Sequence, residues 1–300
     1  MDMMSSCLYP RNKKEPTVFA ETTRENILIL EIGGGPVRIT SLSPSVLSGI
    51  RESCSNFVCH MPKNMKGAIH VHVEESPPAV SRPAGPGIVL EEPAIGHDVS
   101  TGKWTISQGD AYGEFYPAHR KGRFSYSPGL HGIGFDSFLR FACSFVLTQE
   151  NAFLIHASAL IRGGNAYLFP GRSGAGKTTI VKLSSDAVLL SDDIPIVMIG
   201  QDNVPMVCGT PFRSSFNVQG ENASAPLAGI YFPVKDTKNF TIPLGKTRAL
   251  LEFMPPVVLY GSTPRYAERI FDLCAMTIMK VPAFELHFLP DPAFWECIDA

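Results

Sequence analysis

Three glycines, Gly171, Gly174 and Gly176, followed directly by Lys177-Thr178, constrain this chain more than any other stretch. Glycines at that spacing let a short loop turn with its backbone N–H groups converging inward, which makes a nest for an anion. Residues 171–178 (GRSGAGKT) fit the pattern G-x-x-x-x-G-K-[ST]. In that pattern the lysine reaches the β- and γ-phosphates of a nucleotide and the hydroxyl ligates Mg²⁺. The pattern carries this mechanism only between a strand and a helix. Both flanks comply: residues 165–169 (NAYLF) form an apolar run of strand character, and residues 179–183 continue as a helix. The positive dipole end of that helix then faces the same phosphates.

Residues 187–190 (AVLL) read as a second buried strand, ending in Ser191-Asp192-Asp193. Carboxylates at a strand end beside a phosphate loop are what a Mg²⁺-nucleotide site requires. A glycine-rich turn followed by a solvated acidic turn would supply the same residue types. It would not supply strand, loop, Lys-Thr, helix, strand and acid pair in this order. The expected nucleotide-binding residues are Gly171, Arg172, Ser173, Gly174, Ala175, Gly176, Lys177, Thr178 and Thr179, with Mg²⁺ held by Thr178 and Asp193.

The remainder of the composition mainly excludes. A formal net charge of −2 without a basic tract argues against nucleic acid as a partner. Seven scattered cysteines form no C-x-x-C pair, so neither a disulfide framework nor a zinc site is indicated. The opening MDMMSSCLYPRNKKEP lacks an apolar signal core, and no apolar run reaches membrane-spanning length. The expectation is a cytoplasmic protein with no membrane partner.

Length and pattern divide the chain into a flexible arm (1–23), a β-rich N-terminal domain (24–130) and an α/β nucleotide domain (131–300). In the first domain, residues 27–32, 37–40, 68–73, 87–91, 103–107, 112–116 and 123–127 read as strands, and 44–53 as a helix. His70 and His72 share one strand face, but lack a third ligand at suitable spacing and are read as non-metal residues. Residues 76–87 form a Pro/Gly-rich connector. Phe135, Phe138, Leu139, Ala142, Phe145 and Val146 recur at helical spacing, which predicts a packing helix over 136–148 between the two domains. Residues 152–161 read as one buried strand, 194–199, 204–208, 225–232 and 283–289 as further strands, and 244–253 and 264–280 as helices, the last with Ala267, Ile270, Phe271, Cys274 and Ile278 on one face.

The run LIHASALI, then GRSGAGKTT, then LLSDD resembles the catalytic domain of HPr kinase/phosphorylase and its HPr-kinase-related relatives. The resemblance implies an α/β fold, a phosphoenolpyruvate carboxykinase/HPr kinase-like P-loop domain beside the smaller β-rich one. It implies an ATP-dependent kinase that transfers the γ-phosphoryl group to a serine-type hydroxyl of a protein or peptide, with Mg²⁺, and it points to a homo-oligomer. His156 matches the family histidine on the strand before the loop, as a partner that orients the acid pair. For the transfer that the resemblance implies, Asp192 is assigned the proton of the accepting hydroxyl, and Arg213, at the end of the loop GTPFR, the charge of the transferred phosphate. The Arg-Gly-Leu-Gly-type signature that HPr kinases carry after the acid pair is absent, which points away from HPr itself and from phosphorolysis. The alternative is a nucleotide-binding switch or a non-catalytic scaffold in a biosynthetic complex. Neither the N-K-x-D base reader of a GTPase nor an LSGGQ-like stretch follows the loop.

Overall fold

The computed structural model describes residues 26–60, 65–75, 92–127, 134–172, 174–214, 218–261 and 263–299. The expected arm, the 76–87 connector, the 87–91 strand and Ser173 lie outside them. The architecture is mixed α/β, with two sheets and several helices. The chain divides into two compact units, Met1–Val146 and Leu147–Ala300.

The first unit runs β1 (Ile27–Ile32), β2 (Gly35–Ser41), α1 (Pro44–Ser53), β3 (Ile69–Glu75), β4 (Ala94–Asp98), β5 (Lys103–Gln108), β6 (Ala111–Tyr116), β7 (Lys121–Tyr126) and α2 (Phe135–Gln149). Its strands form one sheet in the order β1-β2-β3-β7-β6-β5-β4, parallel at β2–β3 and β3–β7 and antiparallel elsewhere. Alternation decides the faces: Leu28, Leu30 and Ile32 of β1 are buried while the residues between them are not. Helix α2 buries its aromatic stripe against this sheet. Phe138 lies 5.3 Å from Phe124, and Phe145 lies 4.9 Å from Trp104, ring centre to ring centre. The division between units therefore falls in the last turns of α2, later than the 130/131 boundary the sequence suggests. An amphipathic stripe announces burial without saying which sheet receives it. His72 meets Thr40 Oγ1 through Nδ1 at 3.1 Å, and burial lowers the pKa of both His70 and His72.

The second unit runs β8 (Ala152–Leu154), β9 (Ala157–Arg162), β10 (Asn165–Pro170), α3 (Lys177–Lys182), β11 (Val188–Ser191), β12 (Ile196–Ile199), β13 (Pro205–Cys208), β14 (Ser224–Lys235), β15 (Phe240–Pro243), α4 (Lys246–Phe253), α5 (Pro264–Lys280), β16 (Ala283–Phe288) and α6 (Glu296–Asp299). The strand order is β11-β9-β10-β14-β13-β12-β8, with β16 against β14 and β15 against β16. The expected single strand over 152–161 is two. Ile155 bridges to Val257 and the His156 amide donates to the Pro256 carbonyl at 2.7 Å, so the chain leaves β8 at one end of the strand path and starts β9 one strand short of the other. The apolar run gives no sign of this break, because neither half contains a turn former.

Beneath the glycine loop lies a core of Leu160, Phe169, Ile180, Tyr231, Leu286, Phe288, Phe294 and Trp295. Trp295 Nε1 donates to Ser184 Oγ at 2.9 Å, tying the chain end to the turn after α3. Arg162 lies over the Trp295 ring and pairs with Asp186 and Asp299. In α5 the buried face is Tyr266, Ile270, Leu273, Cys274, Thr277 and Ile278. Ala267 and Phe271, expected on that face, are exposed. Among the described residues no helix is long and apolar enough to cross a membrane.

Candidate functional site

Strand direction brings the site together. β9 is antiparallel to both β10 and β11, so the C-terminal ends of β10 and β11 and the N-terminal end of β9 share one sheet edge. Pro170 pairs with Ala157, and Ser191 pairs with Ala159. The glycine loop therefore leaves this edge two strands from the acid pair, with His156 between them. Backbone hydrogen bonds fix the arrangement: the Gly171 amide donates to the His156 carbonyl at 3.3 Å, and the Ala157 amide to the Asp193 carbonyl at 2.9 Å.

The loop conformation depends on Gly176. Its φ is +107°, in the region that favours glycine, and a Cβ there would stand 2.6 Å from the Phe288 ring. Helix α3 begins immediately after it and spans only Lys177–Lys182, so its dipole is small and loop amides and Lys177 carry most of the positive field. Lys177 Nζ donates to the carbonyls of Gly171 at 2.7 Å and Arg172 at 3.1 Å. Burial lowers its pKa, and Asp193 opposes that shift.

A cavity of about 600 Å³ opens over this edge. It is lined by Gly171, Arg172, Gly174, Gly176, Lys177, Thr178 and Thr179 of the loop and α3, by His156, and by Asp192 and Asp193. Ser214, Lys235, Pro255 and Pro256 complete the lining. The two carboxylates differ. Asp192 is 2% exposed and accepts hydrogen bonds from the Ser214 amide, at 3.3 Å to Oδ1, and from the Ser214 hydroxyl, at Oδ2. The Asp193 side chain is 22% exposed, and its Oδ1 lies 3.8 Å from His156 Nδ1, whose side chain is 50% exposed. Ser191, fully buried, holds the turn open by accepting from the amides of Asp193 at 3.3 Å and Ile194 at 3.0 Å.

Of the residues expected from sequence, His156, Lys177, Thr178, Asp192 and Asp193 face one cavity. Ala175 and Arg213 do not line it. Arg213 is half-buried, and its neighbour Ser214 takes the place on the cavity wall. Ser214 and Lys235 carry no sequence signal. Lys235 reaches this edge because β14 runs parallel to β10, and only the strand order places it there.

The acid pair rests on a close backbone approach. A Cβ on Gly220 would stand 2.0 Å from the Leu190 carbonyl oxygen and 3.2 Å from that of Thr210. Neither oxygen yields without moving β11. Gly220→Ala is expected to cost about 1–3 kcal/mol, the usual range for overpacking, read as a lower midpoint in urea unfolding. A midpoint equal to that of the parent chain would remove this constraint from the account.

Comparison with protein-family models and with curated proteins finds no match to this chain.

Proposed function

We propose that the chain is an ATP-dependent kinase of the HPr-kinase-like group, in the phosphoenolpyruvate carboxykinase-like fold group, acting on a serine-type hydroxyl of a protein or peptide. The supporting observation is the shared cavity of Lys177, Thr178, His156, Asp192 and Asp193. Phosphoryl transfer asks little covalent chemistry of a protein. It needs aligned phosphates, compensation of charge and a place for the hydroxyl proton.

In this reading the loop amides and Lys177 bind the β- and γ-phosphates, with the ammonium exchanging its carbonyl partners for phosphate oxygens. Asp192 accepts the proton of the attacking hydroxyl. His156 orients Asp193 through the 3.8 Å pair. The donor set suits Mg²⁺, because the Thr178 hydroxyl and the Asp193 carboxylate are hard oxygens on the same cavity. Among the described residues no three His, Cys, Asp or Glu side chains converge as a metal cage. When bound, Mg²⁺ supplies neutralisation of charge on those phosphates. Arg213 has no role in this reading.

Lys177→Ala tests the nucleotide half of the proposal. Removing a charge-assisted hydrogen bond of about 1.5–3 kcal/mol is expected to weaken Mg²⁺-ATP binding by about 10–150-fold in calorimetry. Unchanged affinity in the variant would sink the assignment.

A further inference from the structure

Ser214 is the hydroxyl-bearing residue on the far cavity wall that the proposed reaction leaves unused, as it leaves Lys235. Its hydroxyl donates to Asp192 Oδ2, and its amide donates to Oδ1 of the same carboxylate, at 3.3 Å. A serine hydroxyl donating to a buried carboxylate, on the wall shared with Lys177 and Thr178, is what the proposed base needs from an accepting serine. No turn or cap accounts for the contact, since Ser214 and Asp192 come from different segments of the chain.

We infer that Ser214 is a site of self-phosphorylation in cis, with the γ-phosphoryl group of ATP as donor. The inference rests on the kinase reading of the same cavity. In the step, Ser214 Oγ attacks the γ-phosphorus, and the new Oγ–P bond forms as the bond from phosphorus to the β,γ-bridging oxygen breaks. ADP leaves with that electron pair, and the hydroxyl proton passes to Asp192. No oxidant, reductant or further co-reactant is required.

The experiment uses the full chain with Mg²⁺ and γ-labelled ATP, mass-spectrometric mapping of the modified residue, and ATP affinity measured by calorimetry on the same preparation. The expected result is phosphate on Ser214, approaching one per chain, with a first-order rate constant that does not change on tenfold dilution of the protein. Ser214→Thr keeps a hydroxyl at the position and should yield phosphothreonine at residue 214, while Ser214→Ala should carry no label there. Asp192→Asn should slow labelling by about 10²–10⁴-fold. A parent chain that binds ATP but shows no phosphate on Ser214, or labels another residue instead, overturns the inference and leaves the nucleotide site standing. A rate constant proportional to protein concentration overturns transfer in cis. Absence of ATP binding removes the inference together with the kinase reading.

Discussion

Asp192→Asn is expected to keep Mg²⁺-ATP binding while phosphoryl transfer to a serine peptide falls by about 10²–10⁴-fold, or about 3–5 kcal/mol in activation free energy. The substitution is close to isosteric, and the surrounding hydrogen bonds tolerate it. The Asn carbonyl oxygen can accept from the Ser214 amide, and the Asn amide can donate to the Ser214 hydroxyl, which rotates to accept. The lost function is proton acceptance. Asp193→Asn should behave differently, raising the Mg²⁺ concentration needed for half-maximal transfer, because an oxygen ligand has lost its charge. His156→Ala, which removes only an orienting partner 3.8 Å from Asp193, should slow transfer less than either. The assay is transfer of labelled phosphate to candidate serine peptides, with ATP affinity measured on each variant. Wild-type transfer rates in both carboxylate variants would exclude the acid pair from the reaction. ATP binding without transfer by the parent chain to any peptide would favour a nucleotide switch or scaffold.

Phe138→Ala is the substitution expected to cost most in stability, about 3–5 kcal/mol for a fully buried phenylalanine. Phe138 is 0% exposed and meets the rings of Phe124 at 5.3 Å, Phe141 at 6.2 Å and Phe135 at 6.5 Å. Its ring also sits where a Cβ on Gly113 or Gly122 would have to stand, so these two strand positions offer no side chain to fill the void. The loss belongs to the first unit and can be read there alone. Trp104 lies in that unit, against Phe145, and the other tryptophan, Trp295, lies in the second. In a Trp295→Phe background, urea unfolding followed by Trp104 fluorescence should show a markedly lower midpoint for the Phe138 variant. A shift below about 1 kcal/mol would mean that the helix–sheet core collapses around the void.

The site was unevenly legible. The glycine loop and the acid pair stand out because backbone turning and Mg²⁺-nucleotide chemistry each demand particular residue types at short spacing, and short spacing is what a sequence displays. Helices α1 and α5 begin and end where their apolar periodicity and Pro44, Pro264 and the capping positions indicate. Strand β4 was missed because its largely exposed residues show no apolar alternation, and β15 because four residues, largely exposed, are too few to establish one. In α5, Ile270, Cys274 and Ile278 of the expected stripe are buried while Ala267 and Phe271 fall beside it, because the edge of an apolar stripe is set only when a partner covers it.

By itself, the sequence determined the loop, its flanking strand and helix, and the carboxylates that follow, because all of these are written in residues near one another in the chain. The tertiary structure decided which of them meet. Antiparallel pairing of β9 with β10 and β11 sets His156 between loop and acid pair, the parallel run of β14 delivers Lys235, and the segment after β13 brings Ser214 onto Asp192. These contacts join residues far apart in the chain, and they follow from strand order and register, which hydrogen bonding and burial settle only when the whole sheet is assembled.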